Sequence, residues 1–337
     1  MSQFRRSAAL AAALTLTACG HGTPVTGPDK AAGHALESSS IAYARSDGVY
    51  LARGDGRDER RLVDEGALGK GTIPFLAALA PDKRRVLFVS MSAMDPRTDK
   101  GGGLALNVLE IEDEEVRAWR RVLLDGILGG TGGAAMVEAS MVPAAAWSPD
   151  SARIALALRR SARGQPDTVV VFDAEGTPRR SLDLQGRRLV AGSGLAWDGG
   201  EALLLAVEPP ESGAQESAGP QIVRLPLEAV SRNLGGVQVV ANGRDPAVSP
   251  DGSRLAVVES AYGKLPDIVL MDRDGHEVRR FEALPGRVLH HLFWSSDGRY
   301  LYYHSLASTG PLGIVEIGLL RCLDTTGGSV FDLVRLG

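Results

Sequence analysis

Histidine is scarce in this chain: six in 337 residues, and only four of them beyond residue 38. Three of those four come late, as the pair His290-His291 and as His304. Neutral imidazoles shuttle protons and ligate metals. No cysteine or carboxylate stands at ligand spacing from these three, so the sequence assigns no metal site and no cofactor. Asp245 is the other candidate, a carboxylate set just before the apolar turn of "DPAVSPDG". Other catalytic patterns lack their parts. There is no Gly-x-Ser-x-Gly elbow for a hydrolase nucleophile, and "GALGKGT" (66–72) has the wrong spacing for a phosphate loop. Asp272-Arg273-Asp274-Gly275 opens like a calcium loop but lacks the downstream glutamate. Arg53-Gly54-Asp55 falls in a hairpin turn, and the acidic run Glu110–Glu115 reads as a solvated strand end. The balance is against an enzyme.

What would position Asp245 and the histidines is a repeat. "FLAALAPDKRRVLFVS", "AAAWSPDSARIALAL", "GLAWDGGEALLLAV", "DPAVSPDGSRLAVVES" and "HLFWSSDGRYLYYHS" align on Asp82, Asp150, Asp198, Asp251 and Asp297, in steps of 68, 48, 53 and 46. Proline fixes φ, aspartate bonds back to the backbone and glycine takes the left-handed position, so each is a tight turn between two strands. The tryptophan before the turn is expected to pack between neighbouring blades. A second strand pair follows each time, as in "TVVVFDAEG" and "DIVLMDRDG", and then an arginine pair: Arg60-Arg61, Arg120-Arg121, Arg179-Arg180 and Arg279-Arg280. Such charge suits the unpaired edge of an outermost strand.

A β-rich period near 50 residues predicts an all-β, six-bladed propeller of four-stranded antiparallel blades. Counting 41–63 as a blade with a degraded first turn gives six units. Its missing inner strand would come either from residues 31–38 or from the C-terminal strand. The residues three before each tryptophan-equivalent are Leu76, Ala144, Gly194, Asp245 and His291. In that register Asp245 and His291 face the channel near its mouth, and His290 points into the packing layer.

The N-terminus has its own chemistry. Arg5-Arg6 precede an apolar run too short to span a bilayer, the pattern of an export signal. Leu16-Thr17-Ala18-Cys19 resembles the lipobox of bacterial lipoproteins, which implies cleavage before Cys19 and acylation of that cysteine. Gly20, rather than aspartate, resembles a signal for the outer membrane, with the protein facing the periplasm. The chain then divides into a signal peptide (1–18), a Gly/Pro-rich tether (19–38) and the propeller (39–337). The cysteines number two, so with Cys19 acylated Cys322 has no partner and no disulfide is expected. A net charge of −4 is wrong for binding nucleic acid.

The Trp/Val-Ser-Pro-Asp-Gly turn followed by an Arg-Leu-Ala-Val strand resembles the repeat of the TolB propeller family, most clearly at 146–155 and 246–257. TolB carries a further N-terminal α/β domain, and prolyl oligopeptidases follow similar repeats with a hydrolase domain. Neither is expected here. TolB's own role is therefore not carried over, and the expectation is a lipid-anchored, monomeric, non-catalytic scaffold for another envelope protein. Long irregular loops are the expected binding elements. Those at 90–103, 125–140 and 208–219 share one face, and they nominate Met91, Met94, Asp95 and Arg97 beside Asp245 and His291. The competing expectation is an enzyme or carbohydrate-binding propeller with its site at the channel mouth.

Overall fold

The Ser-Pro-Asp turns behave as their residues dictate. Ser148 Oγ donates to Asp150 Oδ1 at 2.5 Å and accepts from the Arg153 amide at 2.9 Å, while Asp150 Oδ1 also accepts from the Ala152 amide at 3.0 Å. Ser249 with Asp251 and Ser295 with Asp297 repeat the arrangement. The hydroxyl and carboxylate replace the backbone partners that a tight turn loses. Each turn therefore reverses the chain within one blade.

In the computed structural model the described residues are 36, 38–95, 100–124, 144–159, 167–184, 186–208, 219–228, 237–259, 265–282, 284, 288–309 and 315–336. They form five sheets of four antiparallel strands and one of three. Blade one is β1 (Ser40–Arg45), β2 (Gly48–Arg53) and β3 (Arg60–Asp64). Blade two is β4 (Thr72–Leu79), β5 (Arg85–Asp95), β6 (Lys100–Glu112) and β7 (Glu115–Leu123). Blade three is β8 (Ala144–Trp147), β9 (Arg153–Leu158), β10 (Thr168–Asp173) and β11 (Pro178–Asp183). Blade four is β12 (Leu195–Asp198), β13 (Ala202–Val207), β14 (Gln221–Pro226) and β15 (Gln238–Asn242). Blade five is β16 (Arg244–Val248), β17 (Arg254–Glu259), β18 (Asp267–Asp272) and β19 (Glu277–Phe281). Blade six is β20 (Val288–Trp294), β21 (Tyr300–Thr309), β22 (Val315–Asp324) and β23 (Val330–Arg335).

Second and third strands read as unbroken apolar runs because both their faces are covered. Every residue of "ALLLAV" in β13 is buried. The core is divided into six apolar clusters, each shared by two neighbouring blades, the last joining Tyr43 and Tyr50 of blade one to Tyr300, Tyr302 and Leu333 of blade six. The arginine pairs stand on the outermost strands β3, β7, β11 and β19, as an exposed edge requires.

Blade one lacks its inner strand among the described residues. The link 65–71, including a one-turn helix at Glu65–Leu68 capped by Asp64, is short, so β3 must end on the face where β4 starts. That direction makes β1, β2 and β3 the second, third and fourth strands of a blade. The C-terminal β23 pairs with β22 as the outer strand of blade six, so it does not complete blade one. Residues 31–38, the other expected source, lie almost wholly outside the described residues, and among those described two side-chain bonds cross the closing seam. Tyr302 Oη donates to the Gly54 carbonyl at 3.1 Å, and Arg45 Nε donates to the Arg335 carbonyl at 3.1 Å.

Three seams carry the same latch. Trp147, Trp197 and Trp294 donate their indole N–H to the carbonyls of Ala78, Ala146 and Ala247 in the preceding blade, at 3.0–3.1 Å. The preceding blade's Arg85, Arg153 or Arg254 stacks on that indole at 4.9–5.2 Å. Each of those arginines also donates to a turn carbonyl beyond it, that of Ser151, Gly200 or Gly298. The tryptophans thus sit between blades, as their spacing predicts.

The stretch 90–103 differs from expectation. It is largely strand: β5 and β6 stay paired out to Asp95 and Lys100. β21 and β22 are likewise drawn out, paired to Thr309 and Val315. Glycines 101–103 and Pro96 read as loop punctuation, yet a hairpin arm needs only backbone pairing, which glycine supplies. The other two loops, at 125–140 and 208–219, fall almost wholly outside the described residues, as do the signal peptide, Cys19 and nearly all of the tether.

Candidate functional site

The inner strands line the channel, and three of them meet through one side chain. Asp245 is fully buried, 0% exposed. Its Oδ1 accepts from the Gly194 amide of blade four at 2.7 Å and from the His291 amide of blade six at 3.0 Å. Its own amide donates to Ser193 Oγ at 2.9 Å. Asp245 therefore ties blade five to both neighbours. Gly194 is needed for the close approach: a Cβ there would stand 3.2 Å from Asp245 Oδ1.

The second oxygen, Oδ2, makes no hydrogen bond and lies 3.8 Å from Arg244 Nε, which is also unpartnered. Burial pushes the Asp245 carboxyl up to about 6, against the pull of Arg244 and of the two backbone amides. A carboxylate closed over backbone in this way is not presented to a substrate as a base. Arg244 and Ser193 were not singled out from sequence. Arg244 adjoins Asp245 and could have been, whereas Ser193 matters only through a partner about fifty residues away.

The structure gathers all three late histidines. The ring centres of His290, His291 and His304 are 4.8, 5.7 and 5.4 Å apart. His304 is buried, and the other two are partly exposed. Burial holds all three below the usual imidazole range, His290 at about 4 with help from Arg244, and His304 at about 3 with help from His290. His291 is lowered well below it by burial and by the other two rings. The trio is neutral at physiological pH.

The remaining nominees are dispersed. Met91 is half-buried against the core shared by blades two and three. Met94 and Asp95 lie at the end of β5, paired with Gly101 and Lys100, and Arg97 falls outside the described residues. The Arg53-Gly54-Asp55 turn is engaged internally, with Arg53 bonded to a nearly buried Asp55 at 3.0 Å. Asp272 Oδ1 accepts from the amides of Asp274 and His276, an ordinary turn device. Among the described residues no helix is long and apolar enough to cross a membrane.

Ring, seams and turns together define a six-bladed β-propeller with TolB-like blades. No family model and no curated protein matches the sequence. Solved structures do. TolB from Acinetobacter baumannii superposes with a TM-score of 0.58 at 16% identity, over 88% of this chain and 64% of that one. A protein assigned as TolB from Agrobacterium tumefaciens gives 0.55 at 15%, over 88% of both chains. A puromycin-hydrolyzing peptidase of Mycobacterium tuberculosis gives 0.53 at 17%, over 88% of this chain and 44% of its own. This chain thus spans about two thirds of one neighbour and under half of another, and at such identities the likeness is one of fold.

Proposed function

We propose that the chain is exported, acylated at Cys19 and held at the outer membrane facing the periplasm. There its propeller serves as a monomeric, non-catalytic scaffold for another envelope protein. The observation that carries the scaffold reading is the inequality of the two faces. One face is covered by uniform turns stitched together by arginines. From the other rise the two elongated hairpins, β5–β6 and β21–β22, on a rigid ring. Irregular projections on a fixed scaffold are a common seat of binding. The commitment of the Asp245 carboxylate to backbone amides weighs against chemistry at the channel mouth. Arg5-Arg6 and the Leu16–Cys19 stretch support the anchor.

The test is cross-linking in envelope extracts, with full-length protein against a variant whose residues 92–103 are replaced by a two-residue turn. A partner should be captured by the wild type, lost with the short hairpin, and kept when Glu175→Arg alters the opposite face. Equal capture by all three, or turnover of a peptide or glycan library by the wild type, sinks the scaffold reading. Labelling with an acyl-chain probe should disappear in Cys19→Ala, and labelling that persists refutes the anchor site.

A further inference from the structure

Adjacent residues of a strand point to opposite sides of the sheet, and on that rule His290 and His291 could not share a site. The ladder breaks at this point. His290 pairs with His304, the register then shifts before Phe293, and His291 adopts φ 55°. A left-handed histidine is uncommon in a strand, and here it turns the second ring to the side of the first. His304, directly across the ladder from His290, shares its face as cross-strand partners do. The bulged amide of His291 is held by Asp245 Oδ1.

We propose that His290, His291 and His304 form a binding site for one divalent transition-metal ion, zinc or a close relative, with Asp245 as the positioning residue that holds the bulge. Three imidazole nitrogens at about 2.0–2.1 Å from one ion, at tetrahedral angles, place their ring centres roughly 5 Å apart. The observed separations of 4.8, 5.4 and 5.7 Å match that triangle. Imidazole ligands suit zinc, copper and nickel rather than calcium or magnesium.

The ring nitrogens do not converge in the structure. The one set of ligand atoms lying within 4.8 Å of one another among the described residues is that of Asp272, Asp274 and His276, on an exposed turn. Ligation would require the rings to turn about χ2, a broad torsion in histidine, and among the described residues no hydrogen bond holds any of the three side chains. The nearby Arg244 is opposed by Asp245, whose buried Oδ2 is unpartnered and supplies the compensating negative charge. Three protein ligands leave a fourth position for water or an external group.

The test is titration of full-length protein without an affinity tag, stripped with chelator, using Zn²⁺ against a chromophoric competitor and Co²⁺ read by its visible bands. One ion per chain with a tetrahedral Co²⁺ spectrum is expected. His304→Ala should weaken binding by more than the roughly 100-fold that an outer-shell change can cost, and Asp245→Asn by roughly 10-fold with the Co²⁺ spectrum retained. Asp274→Ala should change nothing. Should His304→Ala not fold, histidine modification of the wild type with diethyl pyrocarbonate decides: Zn²⁺ should protect His290 and His291 and leave His276 reactive. No binding, binding lost in Asp274→Ala, or protection confined to His276 overturns the proposal.

Discussion

The seam between blades three and four and the seam between blades four and five solve one problem by different means. At the first, Trp197 donates to Ala146 and Arg153 stacks on the indole while reaching the Gly200 carbonyl. At the second, the tryptophan position is Val248 and the arginine position, one before the residue paired with the tryptophan, is Ala202, so both halves of the latch are missing. A buried carboxylate replaces them, with Asp245 bonded to the Gly194 amide and its own amide bonded to Ser193. The peripheral latch works through an aromatic face and solvent-tolerant hydrogen bonds. The axial clamp works through a charge that burial makes costly, and its loss would strand amides away from water.

If that contrast is right, the largest effect belongs to Asp245→Ala, which leaves the Gly194 and His291 amides unpaired and should cost about 3 kcal/mol in urea unfolding followed by tryptophan fluorescence. A loss well under that would mean apolar packing alone holds the fourth seam. The clamp also has a pH signature. Its folded pKa, raised to about 6 from 3.8, favours the protonated folded state, so its contribution is greatest at acid pH and fades as pH rises through that interval. Wild type should therefore lose stability relative to Asp245→Asn between those two values, and a parallel pH dependence would contradict the buried carboxylate. Next comes the closing seam: Tyr302→Phe removes the donor to the Gly54 carbonyl and should cost about 1.5 kcal/mol by the same assay. At a latched seam Trp294→Phe keeps an aromatic ring and loses only the bond to Ala247, for about 1 kcal/mol.

These same residues show what could be read from sequence. The turns were legible because Ser-Pro-Asp chemistry is local, settled within about five residues. The tryptophan seams were legible because the repeat places the same residue at the same point of each blade. The histidine trio was not. Its geometry depends on a bulge at His291 that is held by a carboxylate 46 residues earlier, and strand alternation alone sends His290 the other way. The elongated β5–β6 hairpin was hidden by glycines that look like loop and are tolerated within strands. Blade one could be counted, but which of its strands is absent among the described residues follows from chain direction, seen only once β23 is placed on blade six.

The closing seam has a kinetic consequence. Each latch joins residues 47–69 positions apart, whereas the Tyr302–Gly54 and Arg45–Arg335 bonds span 248 and 290. The entropy of bringing chain segments together rises with their separation, and contacts so remote are the slow ones in folding. Blades two to six can assemble as an open arc, each seam nucleated by the one before. Blade one, synthesised first, keeps its face of tyrosines uncovered until the last strand of blade six arrives. The first blade made is the last one finished.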